Sequence, residues 1–145
     1  MFSELPDRTK KEVSDILLCM KSDILKKLDR FLSLKTNKGK TFDKLFNDHI
    51  ISRDCHKECK YHQETLLEHL FLTGSICARL ASDRKEPESK VFSVFLCGFL
   101  HDIGKPFTCK NGSFKGHSIV GSLVLESLYP PEAKDLGITP QVWCD

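Results

Sequence analysis

Between Lys90 and about Ile103 the chain carries a segment that is apolar on nearly every side of a helix: Val91, Phe92, Val94, Phe95, Leu96, Phe99 and Leu100. A helix with no polar face has to be surrounded, so this one belongs in the middle of the core. Gly104 and Pro106 then stop it, in the order expected of C-terminal signals. At the point where the core should close stand His101 and Asp102, with Lys105 just beyond. An ionisable pair is costly to bury without partners, so the end of this helix must meet polar groups from elsewhere in the chain.

The rest of the chain supplies helices to surround it. From Lys11 to about Leu34, Val13, Ile16, Leu17, Met20, Ile24, Leu25, Leu28, Phe31 and Leu32 recur mostly every three or four positions, which predicts one amphipathic helix. Lys35 to Asp43 reads as a polar, locally basic linker, and "TFDKLFNDHIIS" is compatible with a short helix. "RDCHKECKYHQE" is irregular and polar. Thr65 to Ser82 predicts a second strong helix whose broad apolar face holds Leu66, Leu67, Leu70, Phe71, Ile76, Ala78 and Leu80. Pro87 marks the break after it. His117 to Tyr129 predicts a further helix with Val120, Leu123, Val124 and Leu128 on one side, entered from a loop with an Asn111-Gly112 turn. No useful run alternates as a strand would, so the fold class is all-α. Residues 1–60 form an N-terminal helix and polar linker. Residues 61–145 form a helical domain that packs with that helix as one unit. Near the C-terminus Thr139 is a good N-cap and Pro140 suits the first helical position, ahead of Val142 and Trp143. A helix with start signals and no body is expected to continue in a longer polypeptide.

Composition narrows the class. The length of 145 residues suits one domain, 40% hydrophobic content can build one core, and 29% charged content argues against disorder. A net charge of +2 gives no general argument for nucleic acid or an anionic membrane. No apolar run is long enough to span a bilayer, and the N-terminus lacks the basic start and apolar core of a signal peptide. The expected setting is soluble and cytoplasmic, with no membrane partner. Seven cysteines at irregular spacing fit a reduced compartment, and Cys19, Cys77 and Cys97 fall inside apolar helical patterns.

Chemistry-bearing residues gather near helix ends. His69 lies in the first turns of the second strong helix, His101 and Asp102 end the central one, and His117 opens the last. The intervening loops are long enough to bring all four side chains to one end of a bundle. Imidazole nitrogen with carboxylate oxygen is a ligand set for Zn, Mn, Fe or Mg-type chemistry. Adjacent helical residues point about 100° apart, but a long imidazole and a short carboxylate can converge where the chain leaves the helix. Spacing alone leaves two readings open, a metal site and a hydrogen-bonded polar cluster.

"LLEHLFLTGSICARLA", "FLCGFLHDIGKP" and "FKGHSIVGS" together resemble the HD-domain family of metal-dependent phosphohydrolases, and "KYHQETLLEH" is similar to that family's entry into its first metal-binding helix. The likeness covers roughly Tyr61 to Leu128 and is nearest the HD domains attached to tRNA nucleotidyltransferases. It implies an HD-type helical bundle and a hydrolase acting on a phosphomonoester or phosphodiester in a nucleotide or RNA end. It implies a divalent cation (Mn, Mg, Ni, Fe or Zn) held by His69, His101 and Asp102. Asp102 would also orient the attacking water. His117 would serve a second metal or the substrate phosphate, and Lys105 would neutralise phosphate charge or steady the leaving group. His62 and Glu64 match positions near the site mouth, as substrate contacts. The family's final Asp ligand has no counterpart except Asp145, which stands too early in its segment. That ligand is expected beyond the end of this chain. The partners implied are a phosphorylated small molecule or an RNA end.

Two other patterns compete for attention. Cys55, His56, Cys59 and His62 could bind zinc, although structural sites more often use two separated pairs, and His62 is claimed by both readings. Phe107 and Phe114 flank the "TCKNGS" loop and could stack a base, but packing that loop onto the bundle is the simpler expectation. An alternative function is a non-catalytic helical module that binds nucleic acid or a nucleotide, favoured by the lysines between Lys35 and Lys44.

Overall fold

The central apolar helix runs from Glu88 to Leu100 and buries Val91, Phe92, Phe95, Leu96, Gly98, Phe99 and Leu100. The computed structural model describes residues 1–18, 20, 23–36, 38–47, 64–108, 113 and 115–138. In chain order its α-helices are α1 (Asp7–Leu17), α2 (Ile24–Leu32), α3 (Phe42–Phe46), α4 (Leu66–Asp83), α5 (Glu88–Leu100), α6 (Lys105–Thr108) and α7 (His117–Leu128). Short 3-10 turns lie at Phe2–Glu4 and Pro131–Leu136. Among the described residues there is no strand, only an isolated bridge between Lys35 and Thr41. The architecture is the all-α bundle expected. No helix of the described residues is long and apolar enough to cross a membrane.

The core is centred on the α4–α5 hairpin. Two glycines let these helices approach closely. A Cβ at Gly98 would stand 2.9 Å from the Gly74 Cα and 3.0 Å from the Thr73 carbonyl oxygen. A Cβ at Gly74 would stand 2.9 Å from the Phe95 carbonyl. Around this contact the aromatic rings interlock. Phe71 of α4 meets Phe99 edge-on at 5.0 Å, and Phe95 stacks with Phe99 at 5.7 Å. Full burial of each such ring contributes about 1.5–3 kcal/mol.

α1 packs on α4 through buried Thr9 and Val13. α2 buries Ile24, Leu28, Phe31 and Leu32. The single helix expected from Lys11 to Leu34 is therefore two. Asp23 caps a new helix, its side chain accepting the Lys26 N–H at 3.0 Å. The apolar positions keep helical spacing across the break, so periodicity alone could not reveal it. Thr41 caps α3 in the same manner by accepting from Lys44 N.

Two expected apolar faces are narrower than their composition. Ile76 and Leu80 of α4 are 50% and 54% exposed, and Leu123 of α7 is 60% exposed. The buried stripe of α4 instead runs through small residues, Gly74, Ser75, Ala78 and Ala81. Ser75 satisfies its hydroxyl by donating to the Phe71 carbonyl at 2.7 Å. Close helix contact favours small side chains at the crossing and leaves larger ones outside it. Because the atoms around Gly98 are mostly backbone and cannot yield, Gly98→Ala is expected to destabilise the chain by about 1–3 kcal/mol. A thermal melt of the metal-free protein checks this.

Candidate metal centre

His69 is placed by the start of α4. Thr65 and Glu68 form a capping box: the Thr65 hydroxyl accepts the Glu68 N–H at 3.2 Å, and Glu68 Oε2 accepts the Thr65 N–H at 2.8 Å. Two backbone donors that a helix start leaves unpaired are thereby satisfied. Glu68 Oε1 also accepts the hydroxyl of buried Thr9 at 2.7 Å, which ties this entry to α1. His69 follows directly, its Nδ1 at 3.1 Å from Glu64 Oε1.

The end of α5 places the doublet. The last carbonyls of a helix have no intrahelical donor. Here the Gly98 carbonyl accepts the Nδ1–H of His101 at 2.7 Å, which holds the ring. The chain then turns through residues 101–104, and Asp102 becomes buried at 4% exposure. Lys105, the first residue of α6, is also buried and donates from Nζ to Asp102 Oδ2 at 2.7 Å. Its first electrostatic partner is therefore the carboxylate.

α7 completes the cluster. A Cβ at Gly104 would collide with the His117 carbonyl and stand 2.6 Å from the Gly121 nitrogen. The turn after α5 thus lies directly on the first turn of α7. Gly116 turns the chain into that helix with φ +81°, a conformation glycine adopts without strain. His117, its first residue, brings Nε2 to 3.2 Å from Asp102 Oδ1.

The geometry converges on one carboxylate. His69 Nε2 and His101 Nε2 stand 3.2 Å apart, and they lie 3.3 and 3.0 Å from Asp102 Oδ2. Donor atoms about 2.1 Å from a cation stand about 3.0 Å apart at a right angle and about 3.4 Å apart at the tetrahedral angle. The three separations fall within that interval. Both imidazoles engage Nδ1 elsewhere and turn Nε2 inward, the arrangement that metal-binding histidines adopt. His69, His101 and Asp102 could therefore hold a divalent cation, and among the described residues they are the group of such side chains close enough to do so. The imidazoles remain partly exposed, so the site is open to solvent.

Burial pushes the Asp102 carboxyl upward, but hydrogen bonds from His101, His69 and Lys105 outweigh it and hold the group far below the usual carboxylate range. The hydrogen bond to Asp102 raises His101 above the ordinary histidine value, against burial, which lowers it. In the metal-free chain the charged His101–Asp102 pair adds stability that is complete below the ordinary histidine pKa and fades as pH rises through the raised one.

Of the residues singled out by sequence, His69, His101, Asp102, Lys105 and His117 come together, and Glu64 joins them through His69. His62 lies outside the described residues, as do Cys55, His56 and Cys59 of the possible zinc cluster, and Phe114, Thr139 and Asp145. Phe107, expected to pack its loop onto the bundle, is 46% exposed. Sequence spacing did not show that Glu64 meets a histidine ring. Its signal was the capping box between them.

Fold and site define a class: a helical bundle with a potential cation site where a histidine of one helix meets a His-Asp doublet closing the next. The HD domain family model matches residues 66–137, and the chain belongs to the HD-domain family. No curated protein and no solved structure is matched by the chain. The HD-domain superfamily consists mostly of hydrolases, and its domains bind divalent metals, in keeping with the His-His-Asp group.

Protons and a cation compete for the same Nε2 lone pairs. Affinity for Zn or Ni is expected to weaken as pH falls through the raised His101 pKa, with a midpoint above the ordinary histidine range. Equilibrium metal titrations at several pH values check the sign and the midpoint.

Proposed function

We propose that the chain is a metal-dependent phosphohydrolase acting on a phosphomonoester or phosphodiester of a nucleotide or RNA. The observation that carries this reading is the convergence of His69, His101 and Asp102 on atoms 3.0–3.3 Å apart, at the position the HD family uses for its doublet. A divalent cation supplies such a reaction with water activated near neutral pH and with neutralisation of phosphoryl charge.

The chain's own groups divide the remaining tasks. Asp102 stays ionised at working pH, so it is available as an oxygen ligand and as an acceptor that orients the attacking water. Lys105 sits on that carboxylate at 2.7 Å and offsets charge that builds up beside it. His117 is partly exposed at the other carboxylate oxygen, where its ring can donate to a phosphate oxygen or a leaving group. Phe107 offers an exposed ring near this end of the bundle, suited to a base. An intracellular, cytoplasmic setting fits these substrates.

The test is metal content and hydrolysis of nucleoside monophosphates, cyclic nucleotides and phosphorylated RNA ends by the wild-type chain, His101→Ala and Asp102→Ala. Removing either ligand is expected to abolish stoichiometric metal and to lower the rate by about two orders of magnitude or more, given the several kcal/mol a cation supplies. A wild type that binds no Mn, Ni, Mg or Zn, with both variants keeping whatever activity is found, would sink the proposal. Salt-sensitive RNA binding without hydrolysis would favour the non-catalytic alternative.

A further inference from the structure

Glu64 immediately precedes the N-cap of α4, and His69 is the fourth residue of that helix. In many helices these two positions carry an apolar pair that staples the incoming chain to the first turn. Here the pair is polar, with Glu64 Oε1 at 3.1 Å from His69 Nδ1. An ionised carboxylate only accepts, so Glu64 requires a hydrogen on Nδ1, and a cation that displaces the proton Nε2 shares with Asp102 finds the Nε2 lone pair already aimed at it. We infer that Glu64 is the positioning residue of His69, fixing its tautomer and ring orientation so that the site binds a divalent cation more tightly. This deepens the function proposed above and rests on it. It is also a different role from the substrate contact that the family resemblance implies for Glu64.

Three observations support the assignment. The capping box fixes the backbone between Glu64 and His69, so the pairing follows from the helix entry and not from a chance rotamer. Thr9 of α1 donates to Glu68 at 2.7 Å and anchors that entry from outside the family-matched residues. His101 receives the equivalent service from the Gly98 carbonyl, so each imidazole has a dedicated Nδ1 partner while both Nε2 atoms approach the same oxygen of Asp102. A carboxylate partner also makes the opposite ring nitrogen a more basic ligand.

The experiment compares wild type, Glu64→Ala and Glu64→Gln by chelator-competition titration with Zn and Ni at one pH. Long-range ¹H–¹⁵N spectra of the metal-free proteins report the His69 tautomer, and thermal melts report folding. Glu64→Ala is expected to bind about 10–100-fold more weakly, the usual effect of removing such a partner. Glu64→Gln, which keeps an acceptor oxygen, is expected to recover part of that loss. Metal-free wild type is expected to carry a hydrogen on His69 Nδ1, whether or not Nε2 also shares one with Asp102, and Glu64→Ala to lose the Nδ1 hydrogen in favour of Nε2. Equal metal affinity in wild type and Glu64→Ala, or a wild-type His69 with no hydrogen on Nδ1, overturns the inference. If Glu64→Ala fails to fold, Glu64→Gln and the wild-type tautomer decide it. If wild type binds no cation, the proposed function falls, and the tautomer still decides what Glu64 does to His69.

Discussion

A carboxylate cannot stay ionised out of water unless other groups take over the solvation it loses, and Asp102 sets that requirement for one whole end of this bundle. Its side chain is almost fully buried, yet it is held far below the usual carboxylate range. His69, His101 and Lys105 share one oxygen, and His117 faces the other. These partners come from α4, the end of α5, α6 and α7. Removing a single one leaves the carboxylate under-compensated, the circumstance in which buried ionic groups become strongly destabilising. A divalent cation meets the same need, so the cluster that stabilises the metal-free fold also defines the candidate ligand set.

Such a cluster works only if the helices bearing it cannot drift. Glycines set the distances. Gly74 and Gly98 allow α4 and α5 to touch through their backbones, which brings His69 within 3.2 Å of His101. Gly104 does the same between the turn after α5 and the start of α7, which brings His117 to Asp102. The aromatic rings of Phe71, Phe95 and Phe99 then fill the space beside the first contact. Packing and chemistry are coupled here, because a side chain added at a glycine would separate the ligands as well as strain the core.

Much of this was legible in the amino-acid sequence. The all-apolar pattern around Phe95, the apolar face of the helix beginning at Thr65, and the His-Asp doublet before Gly104 each reported a local rule that the fold obeys. What escaped depended on non-local geometry. The break before Asp23 was hidden because the apolar spacing of the flanking helices continues through it. The outward direction of Ile76, Leu80 and Leu123 was hidden because hydrophobicity does not say which side of a helix a neighbour will approach closely. The family resemblance assigned Lys105 to a substrate phosphate or leaving group. Its burial against Asp102 follows from the turn after α5, whose tightness depends on Gly104 meeting α7.

The N-terminal residues, which carry no motif of their own, acquire a meaning from this geometry. Thr9 is buried and spends its hydroxyl on the carboxylate that closes the α4 capping box. A capping box is ordinarily a local device, worth the satisfaction of two backbone donors. Here its second oxygen is used from another helix, so the start of α4 is held from both sides. The ring of His69 inherits that rigidity one residue later, and Glu64 reads it out from one residue before the cap. A site made of only a few side chains therefore draws on an element that lies outside the residues matched to the family, which is why the HD signature locates the centre but does not describe everything that holds it in place.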